Sequence, residues 1–116
     1  MALQTCGRGV LGSEFYAKLS SARVEQMRAN VKQHRAFLLG SGLPRFLDAD
    51  ASSIAVKTLV VMGAKTSGAH WHIAKRLATL IPEAKEVVIP DASHLVHEDN
   101  PSAVCEAILQ FVGGVH

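Results

Sequence analysis

The sequence predicts an α/β chain in which an N-terminal helical segment is followed by β-α-β-α with two parallel strands. Three observations carry this expectation. Apolar residues recur at helical spacing ahead of Leu43-Pro44, and two short, β-branched, apolar runs follow it. A helical pattern separates those two runs, which is the order of a crossover unit whose strands lie parallel.

Residues 1–12 read as a flexible N-terminal segment. Gly7, Gly9 and Gly12 match G-x-G-x-x-G, but a dinucleotide loop needs a buried strand before it and an acidic residue on a second strand after it. Only Met1 to Cys6 precede the glycines, and helix is expected where that second strand should be. Residues 13–43 read as a helical segment, with Ser13 to Leu39 taken as helix. Val24, Met27, Val31 and Leu38 form its stripe, and Arg23, Glu25, Gln26, Arg28, Lys32 and Gln33 fill the other faces. Gly40 and Gly42 can end it, and Pro44 blocks continuation. Pro44 to Ser53 reads as a connector.

Val56 to Met62, closed by Gly63, is almost wholly apolar and reads as a strand buried on both faces of a sheet. Ala69 to Ile81 is helical, with Ile73, Ala74, Leu77, Ala78 and Ile81 on one face and Pro82 as the stop. Glu86 to Ile89 is a second buried-type strand, ended by Pro90. Asn100-Pro101 supplies an N-cap followed by proline at the first helical position. Val104, Ala107, Ile108 and Phe111 form the stripe of the last helix, which Gly113-Gly114 ends. Two strands alone leave ladder groups unpaired on both edges. Either the chain self-associates or the pair belongs to a wider sheet, and the second reading is favoured.

Composition narrows the function classes. Across 116 residues the net charge is +2, and the basic residues are scattered rather than banked, so nucleic-acid binding is not expected. Hydrophobic residues make up 48%, enough for a core. No apolar run reaches the length of a bilayer span or a secretory signal, and Cys6 and Cys105 are too few for a disulfide scaffold. A cytoplasmic protein without membrane contact is the expectation.

From about Ile54 to Val112 the chain resembles the C-terminal part of α/β-hydrolase-fold proteins. The wording is IAVKTLVVMGAKTSG, then HIAKRLATLIPEAKEVVIPDASHLVHEDNPSAVCEAILQFV. The resemblance implies a partial α/β-hydrolase fold. In it, residues 54–116 form the C-terminal part of the domain, and the helical segment 13–43 looks like the end of a lid. Pro90-Asp91-Ala92-Ser93-His94 sits where the family places its histidine, so His94 is the catalytic residue by resemblance. The chemistry requires an imidazole that takes a proton from a serine and returns it to the leaving group. Two departures stand out. The nucleophile elbow G-x-S-x-G occurs nowhere in these residues. Thr66 stands where many members carry the triad acid, and a hydroxyl does not stabilise an imidazolium as a carboxylate does.

No cofactor or metal is implied. His70 and His72, two apart on a helix, point to different sides and cannot easily share an ion; His94 and His97 lack a third ligand fixed by spacing. Lys65-Thr66 after Gly63 lacks the first glycine of a phosphate loop, where Thr58 stands. Cys105, beside Val104, is read as a packing residue, as are Trp71, Phe15 and Tyr16. Two functions remain. The first is a portion of an α/β hydrolase that cleaves a small ester-like substrate when complete and is inactive as an isolated chain. The second is a truncated, non-catalytic α/β module acting through protein interaction. In the chain by itself, the unpaired sheet edge predicts a dimer or aggregation.

Overall fold

The computed structural model describes residues 2–114. Its two strands, β1 (Thr58–Gly63) and β2 (Ala84–Ile89), pair in parallel, with Thr58 opposite Ala84 and Gly63 opposite Ile89. The crossover helix between them spans Gly68–Leu80, and the chain closes with a short helix, Val96–Asp99, and a longer one, Pro101–Gly113. Counting from the N-terminus, five helices precede β1: α1 (Ala2–Leu11), α2 (Ser13–Ala17), α3 (Ser21–Ala29), α4 (Val31–Leu39) and α5 (Asp48–Ser52). The crossover helix is therefore α6, and the last two are α7 and α8.

The strand–helix–strand–helix half follows the sequence expectation, with boundaries moved by one or two residues. Asn100 caps α8 by accepting the Ala103 N–H at 3.3 Å, and Pro101 occupies the first turn, where no N–H is needed. α6 and α8 both pack on the strand pair. The centre of the core is Met62 on β1, Ile89 on β2, Ile81 at the end of α6 and Ala92 in the following loop, all buried. Each large apolar side chain placed there contributes roughly 1.5–3 kcal/mol.

Several expectations need correction. Within the segment 1–12, expected to be flexible and loop-like, residues 2–11 form α1, and Leu11 is buried. Gly7 permits this, because a Cβ there would stand 2.4 Å from the Tyr16 ring; the glycine lets α2 close against α1. The continuous helix of 13–39 is instead three helices. The Ser20 hydroxyl accepts the Arg23 N–H at 3.1 Å and starts α3, and a break at Asn30 separates α3 from α4. The connector contains α5, whose Asp50 carboxylate accepts the Leu47 N–H at 2.6 Å. Phe15 is buried, as a packing residue should be.

The strands are not buried on both faces. β1 is half-buried until Met62, and Lys85, Glu86 and Val88 of β2 are exposed. Ile73 and Ile108, assigned to packing stripes, are also exposed, and so is Cys105. The physical reason is common to all of them: two strands offer too little surface to cover two helices completely. The radius of gyration is 16.0 Å, against about 13 Å for a compact domain of this length. No helix among the described residues is long and apolar enough to cross a membrane. The last two residues of the 54–116 span, and Met1, lie outside the described residues.

Candidate functional site

His94 lies in the loop that leaves β2, five residues beyond the strand's last residue, Ile89. The chain bends at Asp91, the only non-glycine among the described residues with positive φ, at 50°. Aspartate is among the few L-residues that enter the left-handed region at moderate cost, which explains its use at the bend. Lys65 Nζ lies 3.5 Å from the exposed Asp91 carboxylate, an ion pair that contributes little to stability.

Below the bend the loop is fixed by its backbone. The Ala64 N–H donates to the Ile89 carbonyl at 2.9 Å, and the Lys65 N–H donates to the Ala92 carbonyl at 2.9 Å. These bonds draw the turn after β1 against the turn after β2. Gly63 makes the approach feasible: a Cβ there would fall 2.1 Å from the Ser93 carbonyl oxygen and 2.3 Å from that of Ala92. The sequence pattern marks Gly63 only as the end of a strand.

Asp99 completes the support. Its carboxylate accepts both the Ser93 N–H, at 2.8 Å, and the Ser93 hydroxyl, at 2.6 Å. Ser93 is fully buried, so both donors would be costly without this partner. The Asn100 side-chain amide donates to the Pro90 carbonyl at 3.0 Å and holds the other end of the loop. Local pattern alone assigns Asp99 to a polar helix start; its role depends on a contact six residues back in the chain.

The His94 side chain itself is exposed and faces α6. Its ring centroid stands 4.1 Å from that of His70, with 33° between the planes. The Ser67 hydroxyl lies 2.6 Å from His70 Nδ1. Spacing separates His70 from His72 on a helix and lets His94 approach His97; the structure instead joins His70 to His94 across 24 positions, and no local spacing could signal it. Burial of part of the ring pushes the His94 pKa below its ordinary value, and the nearby charges of His70 and His97 push the same way. Thr66, His70 and His94 line one groove of about 230 Å³ with Val60, Met62 and Ile73. Its walls are mostly apolar, so it suits a small apolar group beside an imidazole.

The helical segment reaches this region through α3. Arg23 Nε and Glu98 Oε1 on α7 form a 2.7 Å ion pair, both side chains about two-thirds covered. The buried Nε makes no directed hydrogen bond, so the attraction is that of two charges in contact. A second, more polar groove of about 470 Å³ lies between these parts, lined by Phe15, Lys18, Arg23, Asp91, Glu98 and Asp99.

No family model and no curated protein matches the sequence. Solved structures do. The chain is similar to a serine hydrolase involved in carbazole degradation, the CarC enzyme, at TM-score 0.61 and 20% identity, over 84% of this chain and 37% of that one. It is also similar to the carboxylesterase CesB (YbfK) from Bacillus subtilis, at TM-score 0.69 and 25% identity, over 97% of this chain and 45% of that one. The chain spans less than half the length of either. With both neighbours α/β-hydrolases and the parallel strand pair in place, this chain carries a partial α/β-hydrolase fold.

Proposed function

We propose that the chain is the histidine-bearing portion of an α/β-hydrolase-type protein that cleaves a small ester or related bond when complete. His94 is its general acid/base. The observation that carries this reading is the loop geometry: an exposed imidazole on a turn leaving a parallel strand, with the turn locked from beneath by Gly63 and Asp99. Residues 13–43 fit the end of a lid, because Arg23 joins α3 to the element that follows the histidine. A cytoplasmic location suits the two unpaired cysteines.

The isolated chain is expected to be inactive. It has no G-x-S-x-G elbow, and a lone imidazole without nucleophile and oxyanion hole gives little acceleration. The test is nitrophenyl acetate hydrolysis. The chain alone should match free imidazole, and His94→Ala should change nothing in it. In a longer protein that includes a nucleophile elbow, the same substitution should cost about 10²–10⁴-fold in kcat. Full activity of that longer His94→Ala protein would sink the assignment.

A second reading, a non-catalytic interaction module, is favoured by one observation. β1 has a free, uncharged edge, and Leu38 and Leu39 of α4 are 69% and 75% exposed. Edges and patches of this kind invite pairing with another chain or a second copy. Light scattering distinguishes the outcomes: a dimer supports self-association through these surfaces, and a monomer at high concentration counts against it.

A further inference from the structure

We propose that His70 is a positioning residue for His94, with its ring tethered by Ser67 and laid against the loop imidazole so that the latter is presented in one orientation. The proposal rests on the reading of His94 as the acid/base and concerns what holds that ring, since among the described residues no carboxylate does so.

Three observations converge. First, among the described residues the His94 ring nitrogens have no hydrogen-bond partner, so backbone anchoring fixes the loop but not the ring. The contact that restrains the ring is the His70 face at 4.1 Å. Second, His70 is itself restrained. Ser67 occupies the N-cap of α6, where a serine hydroxyl ordinarily accepts a backbone N–H of the first turn. It makes no such bond and lies instead 2.6 Å from His70 Nδ1. A histidine side chain has two rotatable bonds, and one short hydrogen bond at the ring is enough to select a rotamer. Third, Thr66, His70 and His94 open onto the same groove, so the ordered pair borders the space a substrate group would enter.

The arrangement has an electrostatic consequence opposite to that of a triad acid. A carboxylate beside an imidazole favours the imidazolium. A second imidazole in face contact disfavours it, because the two protonated rings repel. The groups around His94 do not reverse this. His97 on α7 is a further potential cation, 3.8 Å from Glu98, and Glu98 is engaged by Arg23. Asp99 is bonded to Ser93, and Asp91 faces Lys65 on the outer side of the bend. Burial of part of the ring, and after it the charges of His70 and His97, lower the His94 pKa, so the acid limb of any activity it supports extends to lower pH than that of an unassisted histidine.

The experiment uses the chain itself, with labelled histidine ring carbons followed by NMR across pH. In the wild type, nuclear Overhauser contacts between the rings at 70 and 94 are expected. His70→Phe removes both the charge and the Nδ1 that Ser67 holds; it should move the His94 midpoint upward and weaken the ring contact. Ser67→Ala should abolish the inter-ring contact, and Ser67→Thr, which keeps the hydroxyl, should restore it. An unmoved midpoint in His70→Phe, or no inter-ring contact in the wild type, overturns the proposal; an undiminished contact in Ser67→Ala removes Ser67 from it. The catalytic reading fails separately. If His94→Ala spares the activity of a longer hydrolase while the midpoint still moves in His70→Phe, the positioning contact stands and the catalytic role falls. If His94→Ala is crippled and the midpoint stays put, the catalytic role stands and the positioning contact falls.

Discussion

The loop that carries His94 and helix α4 make opposite uses of similar lengths of chain. The loop has few large side chains, yet Ala92 and Ser93 are fully buried and its backbone is bonded to the turn after β1, to Asp99 and to Asn100. α4 has regular helical hydrogen bonding but no buried residue, with Val31, Phe37, Leu38 and Leu39 all turned to solvent. Regular secondary structure is therefore no measure of tertiary order in this chain. An isolated nine-residue helix is marginal by itself, and helices in proteins draw most of their stability from packing. The irregular loop, by contrast, satisfies the buried polar groups of Ser93.

Substitutions can break or sharpen that contrast. The largest effect is expected from Gly63→Val, which drives a side chain into the Ala92 and Ser93 carbonyls. A loss above about 4 kcal/mol is predicted, enough to abolish folding of the strand unit. Gly68→Ala is the control, since nothing lies within 4 Å of its Cβ position, and it should stay within about 1 kcal/mol of wild type in urea unfolding. Next comes Asp99→Ala. It leaves the buried Ser93 N–H and hydroxyl without their acceptor and should cost about 1–3 kcal/mol, with amide exchange in residues 90–95 accelerated. Unchanged exchange there would show that the loop is held by something else.

The α4 side of the comparison predicts near silence. Leu38→Lys with Leu39→Lys should alter stability by no more than about 0.5 kcal/mol while lowering any self-association seen by light scattering. A large destabilisation would mean that α4 is covered in solution. The smallest effect concerns pH. Because the folded state holds the His94 pKa below its ordinary value, the unfolded chain binds the proton more readily. His94 therefore contributes stability above its ordinary value near 6.5, and this is lost as pH falls through the folded value. His94→Gln should flatten the thermal midpoint against pH in that window; the ring's exposure keeps the effect small.

How much of this is legible in the sequence depends on the range of the interactions. α8 is legible at its start because Asn100 and Pro101 act within one turn, and the strand pair because two apolar runs flank a helical pattern. The breaks at Ser20 and Asn30 escape notice although Ser20 is a good cap, because the apolar spacing from Val24 to Leu38 runs straight through Asn30. α1 is hidden because Gly7 and Gly9 read as loop residues, whereas Gly7 answers to Tyr16 nine positions later. At the site, His94 can be placed from its neighbours in sequence. Ser67, His70, Asp99 and the tight fit at Gly63 cannot, since each makes its contact only in the folded loop and crossover.

The left-handed backbone at Asp91 limits what can stand at the head of the loop. Randomising that codon and selecting for folded protein should return mainly glycine, asparagine and aspartate, with β-branched residues excluded by their own backbone sterics. The direction in which the histidine leaves the sheet is thus set by the torsional tolerance of a solvent-facing side chain paired with Lys65.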